Sequence, residues 1–287
     1  MKLTVTVITR NEAANIQAAL ESVSWADEII VVDSRSTDAT VEIARRYATR
    51  VEVHDWGGYS AQKNYAASLA ANDWILSIDA DERVTPELAR EIRELMERGP
   101  TASGYRISRV TWYLGRWMYS TDWYPDYQLR LYDRRSGKWN ARRVHESVEL
   151  RDRPGVLKHQ IQHYAYRDVS DHVTSIDHYT TLIAEQWLEE GRRTSLLAAI
   201  AHPPAAFLRN YVLRRGFRDG AAGFIVSALN AYYVFMKLVK LWELQHGVSR
   251  SREGRRSAAD RGHWRKPIHE RGPNADRRAE SPRAGRL

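Results

Sequence analysis

The stretch DWILSIDADE, Asp73–Glu82, sets a short apolar run directly before three acidic side chains. Successive strand residues point to opposite faces, so Asp79 and Asp81 share one side while the strand geometry persists. Two carboxylates at the carboxyl end of a strand suit a hard divalent cation that also binds a diphosphate. The same acids also suit the approach to a helix, where Asp and Glu commonly cap. The flanking sequence bears on which reading applies.

Upstream, β-rich runs alternate with helical ones. Leu3–Thr9 reads as a strand, and Asn11 stands where it would cap a helix with the stripe Ile16, Leu20 and Val23. Asp27–Asp33 is apolar on both faces, as a central parallel strand should be. Ser36-Thr37-Asp38 opens a helix carrying Val41, Ala44 and Ala48; Arg50–His54 is a third strand, and Ser60–Ala71 is helical. After the fourth strand, Asp73–Asp79, Thr85-Pro86-Glu87 starts a helix that stops at Gly99-Pro100. This rhythm predicts an α/β fold built on a doubly wound, mostly parallel sheet. Ligands of such sheets bind beyond the carboxyl ends of the strands. Those ends are Thr9-Arg10-Asn11, Asp33-Ser34, His54-Asp55 and Asp79-Ala80-Asp81, all polar or acidic. No G-x-G-x-x-G follows the first strand and no Walker A run exists, which disfavours NAD and P-loop ATP chemistry.

Downstream, Gly104–Leu150 is β-rich and crowded with aromatics from Trp112 to Tyr127, which either offer flat surfaces to a ligand or pack a core or interface. His163–Gly191 reads as helical. Leu196–Gln245 reads as two apolar helical stretches broken at His202-Pro203-Pro204 and at Asp219-Gly220. Within it Phe224–Met236 is apolar almost all round and precedes Lys237 and Lys240, so it either caps the preceding domain or lies on a membrane surface.

The formal charge of +8 is mostly local: Gly247–Leu287 holds 12 Lys and Arg against 5 Asp and Glu, a net of +7, leaving +1 for the rest. A uniformly basic nucleic-acid-binding body is therefore not expected. That segment is almost free of apolar residues and is expected to be disordered. With no cysteine, the chain has no disulfide, thiol nucleophile or Cys-ligated metal. Neither a signal peptide nor an uninterrupted apolar run of about 18 residues is visible, so the expected location is cytoplasmic, peripheral on the inner membrane.

Four motifs stand in register along the first hundred residues: Val7–Glu12, Ile30–Ser34 with Ser36-Thr37-Asp38, Gln62-Lys63-Asn64, and Asp79–Glu82. Their order and spacing resemble the family 2 glycosyltransferases of GT-A fold. Tyr124–Leu131 and Val144-His145-Glu146 resemble the branch containing lipopolysaccharide core β-1,4-glucosyltransferases. The resemblance covers about residues 1–245. It implies a GT-A catalytic domain over 1–195, with a nucleotide-sugar half to about 100 and an acceptor half beyond. Helices over 196–246 and the basic tail over 247–287 follow.

The resemblance also implies roles by position. Thr9, Asn11 and Glu12 would line the nucleotide pocket, and Asp33 would contact base or ribose. Gln62, Lys63 and Asn64 would lie near the nucleotide or its sugar. Asp79 would face ribose or a metal, and Asp81 would bind the metal–diphosphate. His163 would complete the metal shell, although a histidine in a β-like run is more often structural. Many members carry a general base in a Glu-Asp pair. This chain has no obvious one, and Glu146, His145 and Asp126 stand in its place. The implied cofactor is Mg or Mn, the donor a nucleotide-sugar such as a UDP-sugar, and the acceptor a cell-envelope glycolipid at the cytoplasmic face of a membrane. Rival readings are transfer to a peptide, a polyprenyl phosphate or a capsule repeat, and a non-catalytic membrane-bound scaffold. The oligomeric state is left open.

Overall fold

A computed structural model describes residues 1–140 and 146–247. His145 and the basic tail from Val248 lie outside the described residues. The first half alternates as the sequence predicts: β1 Leu3–Thr9, α1 Ile16–Glu21, β2 Glu28–Asp33, α2 Thr40–Ala44, β3 Arg50–Val53, α3 Tyr59–Ser68 and β4 Trp74–Asp79. Then come β5 Glu82–Val84, α4 Pro86–Arg98, β6 Gly104–Tyr113, β7 Arg116–Met118, β8 Asp126–Asp133, β9 Gly137–Trp139, β10 Val148–Leu150 and β11 Gly155–His163. Three long helices close the described chain: α5 Val169–Glu189, α6 Leu196–Leu208 and α7 Gly220–Gln245.

Among the described residues one sheet has the order β3-β2-β1-β4-β8-β6-β11-β5, with β7 added to β6. β3, β2, β1, β4, β6 and β11 run one way; β8, β5 and β7 run against them. The sheet is therefore mixed and mostly parallel. Alternation along β1 feeds two cores. Leu3, Val5 and Val7 pack with α1 and α4 on one face, while Ile8 joins Ala66 and Ala67 of α3 on the other. Covered on both faces, the central strands leave only their ends open, and the carboxyl ends of β1 and β4 lie side by side.

Three local expectations fail. Asn11 does not cap α1: it sits at φ +53°, a left-handed turn that Asn tolerates better than most residues, and α1 starts later at Ile16. His163 ends a strand rather than opening a helix. Leu157, Ile161 and His163 are buried at even spacing, and the real helix start is Asp168, whose side chain accepts from Asp171 N at 2.8 Å. Finally, α6 runs through Pro203 and Pro204 and opens only afterwards into a π turn over Arg209–Leu213. The prolines remove donors and crowd the preceding turn; the packing of α6 along α7 offsets that local cost. The expected break at Asp219-Gly220 is where α7 begins.

Candidate functional site

A cleft opens over the carboxyl ends of β1 and β4. Its walls are Thr9, Arg10 and Glu12 at and beyond the end of β1, Trp56 just before α3 and Tyr59 at its start, Asp79 and Asp81 at and beyond the end of β4, and His163 at the end of β11. Gly58, at φ +100°, turns the chain between the two aromatics. The Tyr59 hydroxyl meets that of Tyr179 on α5 at 3.0 Å, so the helical region braces the wall. Burial raises the pKa of both tyrosines, and both stay neutral.

The turns after β1 and β2 are sewn together. Thr37 N donates to Asn11 Oδ1 at 2.8 Å, Asn11 N to Ser36 Oγ at 2.8 Å, and Glu12 N to Thr40 Oγ1 at 2.8 Å. Asp33 is fully buried, and its Oδ1 accepts from Ser36 N at 2.8 Å while Oδ2 takes the Ser36 hydroxyl. Burial raises its pKa against the pull of those bonds. In the cleft wall the hydroxyl of Thr9 is buried and has no hydrogen-bond partner among the described residues.

Behind the cleft runs a chain of alternating charges. Lys63 Nζ lies 2.7 Å from Asp79 Oδ1 and 4.5 Å from the centre of the Trp139 ring. Arg130 Nη2 donates to Asp79 Oδ2 at 2.7 Å and also reaches Glu82. Arg109 donates to Glu82 Oε1 at 3.0 Å and, through Nε, to Asp126 Oδ2 at 2.8 Å. Three cations thus alternate with three anions. Burying single charges is costly unless each is matched, and here each has a neighbour of opposite sign. Burial works to lower the pKa of Arg109, but Asp126 and Glu82 outweigh it and hold it above the ordinary value.

Asp81 and His163 form a separate pair. The antiparallel register of β5 and β11 sets His163 opposite Glu82, and Tyr164 N donates to Asp81 O at 2.9 Å. That brings His163 Nε2 to 3.5 Å from Asp81 Oδ2, with both side chains almost wholly buried. Among the described residues no three His, Asp or Glu side chains surround one metal position. One carboxylate and one imidazole are still a fitting set for a cation shared with a nucleotide, because Mg commonly keeps one or two protein carboxylates and fills its shell with phosphate oxygens and water.

The structure thus gathers Thr9, Glu12, Asp79, Asp81 and His163 at one cleft. Its wall does not include Asp33, Gln62, Lys63, Asn64, Asp126 or Glu146. Gln62 bridges Ser34 Oγ at 2.7 Å and His54 Nδ1 at 2.6 Å. Asn64 holds the backbone of Trp139 with both ends of its amide, at 2.9 and 3.0 Å. Asp126 takes Gln128 Nε2 at 2.7 Å in addition to Arg109. Glu146 is half-buried ahead of β10, and Asn11 stays exposed in its turn. Sequence reading missed Trp56, Tyr59, Arg109 and Arg130, and it quoted Arg10 and Glu82 in their motifs without giving either a role. One signal was available: Asp126, Gln128 and Arg130 alternate along β8, which puts three polar side chains on one face of a strand.

The profile described as Glycosyl transferase family 2 matches residues 4–171. The lipopolysaccharide core biosynthesis glycosyltransferase LpsC of Rhizobium meliloti (strain 1021) is 29% identical over 250 residues, covering 85% of this chain and 93% of that one. An uncharacterized glycosyltransferase of Rickettsia bellii (strain RML369-C) is 32% identical over 262 residues, covering 85% and 87%. The solved structure of S. aureus TarS 1-349 has a TM-score of 0.43 at 16% identity, covering 86% of this chain and 92% of that one.

Proposed function

Because the chain belongs to glycosyl transferase family 2 and is a glycosyltransferase, we propose that it moves a sugar from a UDP-sugar to a hydroxyl of a cell-envelope glycolipid, with inversion at the anomeric carbon. The observation that carries this reading is the convergence of Asp81 and His163 on one cleft at the carboxyl ends of β1 and β4. The relative LpsC, described as acting in lipopolysaccharide core biosynthesis, supports the glycolipid acceptor.

Each step falls to a residue of this chain. Asp81 and His163 would hold Mg or Mn, and the ion would supply charge neutralisation for the departing diphosphate. Arg10, in the same wall, adds a fixed cation for that charge. Thr9 offers its unpartnered hydroxyl to the nucleotide, and Asp33 fixes the turn that receives base and ribose. The acceptor hydroxyl attacks the anomeric carbon as the bond to the β-phosphate oxygen breaks, and a base removes the hydroxyl proton. Glu146 takes that role. Asp126 is instead engaged by Arg109 and Gln128 in the buried charge chain behind the cleft.

UDP release from a panel of UDP-sugars, with and without manganese, tests this reading. Slow metal-dependent hydrolysis, accelerated by a lipopolysaccharide-core acceptor, is the expected result. No release from any sugar nucleotide, with or without acceptor, would refute it.

A further inference from the structure

Ten of the seventeen large apolar side chains exposed among the described residues fall between Leu196 and Phe235. Leu197 is 74% exposed, Leu213 75% and Phe217 52%. An aromatic cluster joins the three elements that carry them. Phe224 of α7 lies 5.6 Å from Phe207 of α6 and 5.7 Å from Tyr211 of the π turn, and Tyr211 meets Phe217 at 6.4 Å, between ring centres. From Arg192 to Lys240 the chain carries eight Lys and Arg and a single acid, Asp219, which is buried.

We infer that this face, built on α6, the π turn and the start of α7, docks on an anionic lipid bilayer and lies on it rather than crossing it. Charge complementarity selects the occupant: an apolar surface whose own stretch of chain adds the exposed cations Arg193, Arg215 and Arg218 fits the boundary between headgroups and acyl chains of an acidic leaflet. Gly216–Gln245 is long and apolar enough to span, by length and composition. Its other side is already engaged, because Tyr233 packs into one core with Ile176, Tyr179 and Ile183 of α5, and Asn230 is buried. Crossing would strip that core.

The face is also tied to the acceptor half. Arg209 of the π turn pairs with Asp122, and Asp219 accepts from Tyr119 N at 3.1 Å and from Ser120 Oγ. Asp122 and Ser120 belong to the loop that leads into β8 and Asp126. A bilayer under the face would therefore lie next to that loop, where a lipid-borne acceptor arrives; this step rests on the glycolipid reading above.

Flotation of the full chain with phosphatidylcholine vesicles, with and without phosphatidylglycerol, tests the inference. The parent should float with the anionic vesicles. Leu213→Asp with Phe217→Asp should lower partitioning by more than about tenfold, since burying one such side chain is worth about that factor. Leu197→Asp, one helix away, should act in the same direction. Arg193→Glu with Arg218→Glu should weaken binding by about fivefold per charge. All variants should keep the parental thermal transition and UDP affinity. Apolar variants that float like the parent would overturn the inference and assign any lipid attraction to another part of the chain. So would a parent that never floats but sediments as a dimer these substitutions break. A parent that floats but binds no UDP would refute the transferase reading and leave this face standing.

Discussion

Lys63 Nζ sits 2.7 Å from Asp79 Oδ1, with the lysine wholly buried and the aspartate at the rim of the cleft. A charge from α3 is thereby fixed beneath the acidic end of β4. Lys63→Met removes one of two cations that hold Asp79, Arg130 being the other, so it should cost less than the about 3–5 kcal/mol of a buried charge left with no partner. Combining it with Asp79→Asn should restore part of that loss. A double-mutant cycle read by chemical denaturation checks this, and additive effects would show that the two groups are not coupled.

Asp33 should trade stability against binding. Burial raises its folded pKa above the unfolded value of 3.8. The stability linked to its protonated form is therefore complete below 3.8 and lost as pH rises through the folded pKa. Asp33→Asn should raise the melting temperature of the unliganded protein at neutral pH while weakening UDP binding. A variant that melts lower and binds UDP like the parent would contradict both halves.

The base assignment separates two carboxylates. Glu146→Gln should lower turnover by about 10²–10⁴ with UDP binding intact. Asp126→Asn should act mainly on stability, because it leaves Arg109 with a weakened partner in a buried chain. A stable, donor-binding but inactive Asp126→Asn beside an active Glu146→Gln would move the base to Asp126.

His172 supplies an acid limit to stability. Burial, opposed by Asp171, lowers its pKa from 6.5 to about 3. It sits in an aromatic pocket, stacked on Tyr166 at 4.2 Å with Nδ1 3.0 Å from the Tyr113 hydroxyl. The stability it contributes by staying neutral is present above pH 6.5 and falls as pH drops toward about 3. The slope reaches about 1.4 kcal/mol per pH unit. His172→Phe keeps the stacking and should flatten the fall in stability between pH 6 and 4. Parallel pH profiles for parent and variant would show that His172 is not the titrating group.

The sheet and the ends of its strands were legible because their signals are periodic and local. The apolar runs of β1, β2 and β4 each end in a polar cluster, and parallel packing forces those ends together. Asp79 and Asp81 were found for that reason. The pairing of Asp81 with His163 was not written in any spacing, because it depends on how β11 registers against β5. The charge chain was hidden likewise: Lys63, Arg109 and Arg130 come from three separate segments, and nothing near them in sequence names a partner. Asn11 misled because a cap and a left-handed turn favour the same residue type.

Manganese binding in the presence of UDP tests the central claim most directly. Electron paramagnetic resonance reads the free ion, with UDP alone as the control. The parent should remove more free manganese with UDP than UDP removes by itself, and Asp81→Asn and His163→Ala should each abolish that excess. Variants that bind the ion with UDP as the parent does would contradict the assignment of the cleft.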